Sequence, residues 1–152
     1  MAEAGSVRVT FGGTIDLDPE SCAKAQQRVQ ARVWYDKDSD GLDHEWFGKG
    51  FINPPCDTST IRLYVDKTIF EFKAGRLESA ILLTNDQTDA GWFHKALGAA
   101  SLFCVPRKRL NFYNPNRDGS NHTCNSTLFY FGDDEQAFRS AFSSIGCFCQ
   151  KA

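Results

Sequence analysis

The hydrophobic positions of this chain fall into short apolar runs, separated by segments in which apolar residues recur with a helical spacing. The run at 79–84 is almost entirely apolar, which is typical of a central strand buried on both faces. Ile61, Val65, Ile69 and Phe72 instead recur every three or four residues, as on one buried helix face. The pattern predicts strands at 14–18, 32–35, 50–52, 79–84 and 101–105, and helices over about 19–31, 59–74, 88–97 and 133–143.

Two later apolar segments, at 110–113 and 127–131, flank a polar stretch and predict an antiparallel hairpin. Strands that alternate with helices indicate an α/β fold. We therefore expect a mostly parallel sheet with helices on both faces and this hairpin late in the chain. The 152 residues suit a single domain, which we expect to cover 1–152.

Polar residues follow two of the predicted strands. Asp16 and Asp18 end the strand at 14–18, and Asn53-Pro54-Pro55 comes directly after the strand at 50–52. In open parallel sheets, ligands bind beyond the carboxyl ends of the strands. Asp18 before a proline is equally suited to cap the next helix, and both interpretations stay open. Asp16 needs a partner, because a charge inside a short apolar strand is costly to bury.

Asn53-Pro54-Pro55 has a chemistry of its own. Two prolines after a strand remove two backbone donors and stiffen the turn, so the Pro54 carbonyl is held in one direction. The Asn53 side chain adds a second acceptor. Two fixed acceptors can hold both hydrogens of an amino group and aim its lone pair at an electrophile, and such orientation contributes much of a rate enhancement. The alternative is a plain turn that ends a strand.

Composition and charge narrow the picture only a little. No apolar run is long enough to cross a bilayer, and the first residues lack the features of a signal peptide. We therefore expect a cytoplasmic protein whose six cysteines are free thiols. The net charge of -2 does not indicate a nucleic-acid binder, but 101–117 contains four basic residues and no acidic one. This segment suits a phosphate backbone or is a solvated loop.

Two weaker patterns concern metals. Asp36-Lys37-Asp38-Ser39-Asp40-Gly41 matches the first half of a calcium-binding EF-hand loop, but the twelfth position is Phe47 instead of glutamate. An acidic turn before Leu42 explains the same residues. Cys147 and Cys149 lack the paired spacing of zinc sites. We expect no metal site.

Several short segments together resemble one family. In this order along about 12–145, they resemble the Dam-like DNA adenine-N6 methyltransferases encoded by phages and prophages, which use S-adenosylmethionine. The segments are Ile15-Asp16-Leu17-Asp18-Pro19-Glu20-Ser21, Ala31 with Tyr35, Asp40-Gly41-Leu42, Trp46-Phe47-Gly48, Phe51-Ile52-Asn53-Pro54-Pro55, Thr88-Asp89-Ala90-Gly91-Trp92-Phe93-His94, Arg109-Leu110-Asn111-Phe112 and the stretch 126–132.

The resemblance implies a Rossmann-like class I methyltransferase fold, in a bacterial or phage-infected cell, acting on DNA that contains adenine. It implies a catalytic motif that takes the flipped target adenine and a cofactor site that holds S-adenosylmethionine. Two arginines would contact the DNA phosphates, and the segment at 92–94 would mainly pack. The residues so implied are Asn53, Pro54, Pro55 and Cys56 for catalysis, Asp16, Asp18, Pro19, Asp40 and Leu42 for the cofactor, and Arg107 and Arg109 for DNA.

The chain departs from the family pattern in three respects. Cys56 stands where the family has an aromatic residue that stacks on the flipped base. The family's segment before the first strand, with its Thr-Pro turn, has no match, and neither has a Gly-rich cofactor loop, although Gly12-Gly13 allows close approach. Three alternatives follow: a non-catalytic module that binds nucleic acid or a protein, an enzyme for another amine such as RNA or a free base, and a chain whose cofactor site a partner completes.

Overall fold

In the part of the chain that the structure describes, seven strands form one sheet that is covered by helices on both faces. The computed structural model describes residues 2–55, 57–108, 110 and 126–150, with side chains from residue 4 onward. The strands are β1 (Leu17–Asp18), β2 (Val33–Trp34), β3 (Gly48–Ile52), β4 (Leu77–Asn85), β5 (Leu102–Pro106), β6 (Ser126–Phe131) and β7 (Gly146–Cys149). The helices are α1 (Ala2–Thr10), α2 (Ala23–Val29), α3 (Thr58–Lys73), α4 (Gly91–Ala99) and α5 (Glu135–Phe142).

The sheet is mixed, in the order β2-β1-β3-β4-β6-β5-β7. The four strands from β2 to β4 are parallel, whereas β6 pairs antiparallel with both β4 and β5, and β7 pairs antiparallel with β5. The α/β class is therefore confirmed, but the expectation of a mostly parallel sheet is wrong for this second half. The physical reason is that β6 returns between β4 and β5, which point the same way.

The prediction of the strand that pairs with β6 is also wrong. The segment at 110–113 was expected to form a hairpin with 127–131, but β4 and β5 take the two sides of β6. Of the expected partner strand, only Leu110 lies within the described residues, and it is buried in the core. β7 was not expected, because its four residues are too short a pattern to distinguish from a loop.

Two apolar layers hold the domain together. On one face, α1, α2 and α5 pack on the sheet, where the ring of Tyr130 stacks on Phe138 at 5.0 Å. On the other face, α3 and α4 pack on the sheet, where Phe93 meets Phe129 edge-on at 5.2 Å. Large aromatic side chains contribute much of the buried apolar area in both layers. Among the described residues, no helix is long and apolar enough to span a membrane.

Most predicted helices form, with shifted starts. α3 begins after Asp57, whose carboxylate accepts a hydrogen bond from the Ser59 backbone, and Gly75 follows its end with φ +82. α2 begins only at Ala23, after Cys22, so the interpretation of Asp18 as its cap is wrong. The reason is that Asp18 stays in the sheet, where its carbonyl accepts a hydrogen bond from the Tyr35 backbone at 3.1 Å.

Candidate functional site

The carboxyl ends of β1 and β3 lie side by side at one edge of the sheet. Leu17 pairs with Gly50 in parallel, β1 ends at Asp18, and β3 ends at Ile52, directly before Asn53. Asn53 and Pro55 are half-buried and Pro54 is buried. The prediction that this motif directly follows a strand is therefore confirmed. Cys56 lies outside the described residues.

Asp18 is the most unusual side chain at this edge. It is only 2% exposed, and its Oδ2 accepts a hydrogen bond from Gln26 Nε2 at 2.8 Å. Its Oδ1 is buried and has no hydrogen-bond partner among the described residues. Burial raises the pKa of Asp18 to about 7, although the polar groups of Ser21, Glu20 and Gln26 nearby partly oppose this shift. A buried acceptor without a donor from the described residues can accept a hydrogen bond from a water molecule or from a ligand.

Gln26 organises this end of the sheet as well. Its Nε2 donates to Ser21 Oγ at 2.8 Å, and its Oε1 accepts from the Ala31 backbone at 2.8 Å. It thus joins the loop before α2 to the turn after it, while it holds Asp18. Sequence reasoning missed Gln26, because a glutamine on a polar helix gives no sign that it faces the sheet.

A second pair lies beside Asp18. Tyr64, on the buried face of α3, donates its hydroxyl hydrogen to Glu20 Oε2 at 2.6 Å. Burial, this hydrogen bond and the charges of Glu20, Asp40 and Asp18 all raise the pKa of Tyr64. The carboxylates of Glu20, Asp40 and Asp18 therefore all act electrostatically on the Tyr64 hydroxyl. One feature of the sequence indicated the contact between Tyr64 and Glu20: Tyr64 lies three residues after Ile61 on an apolar helix face, where a hydroxyl needs a hydrogen-bond partner.

The acidic turn at 36–41 closes against the same edge. A Cβ on Gly41 would overlap the Pro19 carbonyl, so only glycine allows this approach. Trp46 Nε1 donates to the Gly41 carbonyl at 2.8 Å, and the Leu42 backbone donates to Asp40 Oδ1 at 3.2 Å. Of the residues that the resemblance implied for the cofactor, the fold thus brings Asp18, Pro19, Asp40 and Leu42 together.

Asp16 does not join them. It precedes β1, and its Oδ2 accepts a hydrogen bond from the Lys49 backbone at 2.9 Å near the start of β3. Arg32 lies 3.4 Å from Oδ1. The expectation that Asp16 lies at the carboxyl end of its strand is wrong, because the strand is shorter than the apolar pattern suggested. These contacts also supply the partner that a carboxylate here requires.

The residues of the EF-hand-like pattern form a tight turn. Asp36 Oδ1 accepts hydrogen bonds from the Asp38 backbone at 3.1 Å and from the Ser39 backbone at 2.9 Å. Hydrogen bonds from Ser39 and Asp38 lower the pKa of Asp36. Next to the turn, the rings of Tyr35 and His44 stack at 4.1 Å. The carboxylate of Asp36 therefore stabilises the turn itself.

A cavity of about 590 Å³ lies further along the same edge of the sheet. Arg107 lines it, and Arg109 lies outside the described residues. Phe93, at 4% exposure, belongs to its wall, and Trp92 is equally buried, so the expected packing role of these two residues is confirmed. The cavity was not predicted, because β4, β5, β6 and α4 form it only once the mixed sheet is assembled.

No protein-family model matches this chain, and no curated protein matches it. Function is therefore inferred from the motifs and from the geometry of the site.

Proposed function

We propose that the chain is an S-adenosylmethionine-dependent methyltransferase of Rossmann-like class I fold that acts on the N6 amino group of adenine in DNA. One observation carries the proposal: Asn53-Pro54-Pro55 follows β3 next to the end of β1, where Asp18 has a buried carboxylate oxygen without a donor among the described residues. An amine-orienting motif and a hydroxyl-accepting group thus share one edge of the sheet.

Asn53 and Pro54 would orient the amine. The Asn53 side-chain oxygen and the Pro54 carbonyl each accept one hydrogen of the amino group, which aims the nitrogen lone pair away from both. No strong general base is needed, since the proton is lost after the nitrogen has become cationic. Pro54 is buried, so its ring and carbonyl are held by their surroundings. Preorganised acceptors of this kind act without reorganisation at the moment of reaction.

Asp18 fits a cofactor hydroxyl. When bound, S-adenosylmethionine would supply an electrophilic methyl group on its sulfonium. Asp18 Oδ1 is an acceptor that a ribose hydroxyl can satisfy, while Gln26 holds Oδ2 at 2.8 Å and so fixes the carboxylate plane. Asp40 and Leu42, in the turn packed on Pro19, would lie beside the cofactor's adenine.

A matched pair of variants tests the cofactor site. Isothermal titration with S-adenosylhomocysteine would compare wild type, Asp18→Asn and Asp16→Asn. In Asp18→Asn, the amide oxygen takes the place of Oδ2 and still accepts a hydrogen bond from Gln26. The amide nitrogen then takes the place of Oδ1, and because it is a donor it repels a hydroxyl donor. We expect affinity to fall by about tenfold or more, the effect of losing one charge-assisted hydrogen bond. Asp16→Asn makes the same change outside the site and should leave affinity unaltered.

Transfer of a labelled methyl group to adenine-containing DNA tests the reaction itself. Asn53→Ala should reduce the turnover rate by about a hundredfold, since one preorganised donor or acceptor contributes that much elsewhere. It should leave S-adenosylhomocysteine affinity within twofold. Binding without transfer to any DNA would contradict the proposed substrate, and absence of binding by the wild type would contradict the enzyme.

One observation favours the alternative of a non-catalytic module that binds nucleic acid or a protein. Asp18 is 2% exposed, and Gly41 covers the Pro19 carbonyl, so a cofactor must displace neighbouring residues to reach Oδ1. The same titration discriminates, because such a module has no need of S-adenosylmethionine.

A further inference from the structure

The 590 Å³ cavity differs in position and chemistry from the site around Asn53. It lies at the ends of β4 and β5 and the start of β6, with α4 as its other wall. Asn85 pairs with Ser126, and on the other side of β6 the pairing with β5 runs from Leu102 to Cys104. Since β6 lies between β4 and β5, Asp86 and Arg107 follow two strands whose backbones are two strand spacings, or about 10 Å, apart.

The two ends of the cavity carry opposite charges. Asp86 lies at one end, and Arg107 and Lys108 lie at the other, all three exposed to solvent. Arginine is well suited to phosphate, since its planar fork donates two parallel hydrogen bonds. A carboxylate such as Asp86 accepts hydrogen bonds from an amino group, as in recognition of the cytosine amine.

The middle of the cavity is apolar. Leu97 from α4 and Phe103 from β5 are half-buried there, and Val105 is 44% exposed although it is a valine in a strand. Thr88 and Ser126 add hydroxyl groups at the rim. Aromatic and apolar surfaces of this kind receive the flat face of a base. The volume lies within the range of about 300 to 1,000 Å³ that is typical of small-molecule sites.

We propose that this cavity binds one nucleotide whose base carries an exocyclic amino group. The phosphate lies at Arg107 and Lys108, the base lies against Leu97 and Phe103, and the amine donates to Asp86. Because Asp86 follows β4 and Arg107 follows β5, the opposite charges lie on either side of β6, as the phosphate and the amine of a nucleotide lie at its two ends. If the nucleotide is part of a DNA strand, an assignment that rests on the proposed function, the cavity gives DNA a second contact besides the one at Asn53.

Protein NMR with methyl labelling tests the assignment through Leu97 and Val105, which line the cavity, with Ile61 on α3, outside the cavity lining, as the reference. The probes are dCMP, dUMP, which has a carbonyl oxygen in place of the amino group and a proton on N3, and deoxycytidine, which lacks the phosphate. We expect dCMP to shift the two cavity methyls and leave Ile61 unchanged. Both dUMP and deoxycytidine should bind about tenfold more weakly, the effect of one lost charge-assisted hydrogen bond.

The variants assign each end of the nucleotide. Asp86→Asn should remove the preference for dCMP over dUMP, since an amide can both donate and accept. Arg107→Ala should weaken dCMP about tenfold and leave deoxycytidine unchanged. Arg62→Ala removes the same charge from an exposed position of α3 outside the cavity lining and should have no effect. Equal binding of dCMP and dUMP by wild type, or no shift at Leu97 and Val105, would overturn the proposal.

The source of the nucleotide and the fate of the methyltransferase proposal are separable. A single-stranded trinucleotide with a central cytidine that shifts the same methyls more tightly than dCMP identifies a DNA strand as the source. Binding of dCMP alone identifies a free nucleotide. Nucleotide binding at the cavity without S-adenosylhomocysteine binding would support this inference and contradict the methyltransferase. Methyl transfer that is unaffected by Arg107→Ala or Asp86→Asn, together with no shift of the Leu97 and Val105 methyls, would contradict this inference and leave the methyltransferase proposal intact.

Discussion

Gln26 Nε2 lies 2.8 Å from Asp18 Oδ2 and holds a carboxylate that is 2% exposed. The contact joins α2 to the end of β1 and satisfies only one of the two carboxylate oxygens within the described part of the chain. Burial disfavours the charged form of Asp18, so its pKa rises to about 7. This one contact therefore links the stability of the fold to the candidate cofactor site.

The stability of the protein should depend on pH through Asp18. The folded state raises the pKa of this group from 3.8 to about 7, so between these values the folded chain binds more protons than the unfolded chain. Its contribution to stability is then present at low pH and is lost as pH rises through about 7. Between pH 5 and 8 we expect the wild type to lose on the order of 2 kcal/mol relative to Asp18→Asn, measured by urea denaturation.

Asp18→Asn is the control in this experiment because it stays neutral while it keeps an acceptor for Gln26. The contributions of the other titrating groups cancel in the difference between the two proteins. A difference that stays constant from pH 5 to 8 would show that Asp18 has an ordinary pKa in the folded chain.

Gly41 should be intolerant of any side chain. A Cβ there would overlap the Pro19 carbonyl, which is backbone and cannot move aside alone. We expect Gly41→Ala to lower the free energy of unfolding by about 3 kcal/mol, as for severe overpacking. The matched control is Gly98→Ala in α4, where a Cβ meets nothing within 4 Å. This control should raise the free energy of unfolding by about 0.5 to 1 kcal/mol, since alanine favours a helix.

The hydroxyl of Tyr64 should contribute a measurable hydrogen bond. Tyr64→Phe leaves the ring near Trp46, at 5.9 Å between centroids, and removes the donor to Glu20. We expect a loss of about 1 kcal/mol in the free energy of unfolding, because Glu20 is half-exposed and water can replace the donor. Tyr35→Phe, whose ring stacks on His44, should change stability by only a few tenths of that value. Equal effects of the two variants would refute a specific role for the Tyr64 hydroxyl.

The sequence predicted those elements whose apolar pattern is unambiguous. β4 is recognisable because it is buried on both faces, and Asn53 was correctly assigned to a strand end because proline cannot continue a ladder. Asp18 before Pro19 has the local signature of a helix start, yet it lies in β1. Parallel pairing with β2 decides the outcome there, and such pairing joins residues that are distant in the sequence.

The candidate site was predicted only in part, for a related reason. Asp40 and Asp18 could be named from short motifs, but the contact between Glu20 and Tyr64 spans 44 positions and has no local signal. The cavity depends on the insertion of β6 between β4 and β5, which the hydrophobic pattern did not predict. Long-range strand order therefore limits what can be inferred about a site from motifs alone.

Cys147 and Cys149, on the edge strand β7, should react much faster with thiol reagents than Cys104 on the neighbouring strand β5. Cys104 is buried in β5, and burial, with a smaller effect of Cys147 and Cys149 nearby, raises its pKa to about 12. Cys147 and Cys149 are exposed on β7, and all three are free thiols. Because the thiolate is the nucleophile, iodoacetamide at pH 8 should modify Cys147 and Cys149 at least about a hundredfold faster than Cys104. Peptide mapping by mass spectrometry measures each rate, and urea should abolish the difference. Rapid modification of Cys104 in the native protein would contradict its position inside the sheet.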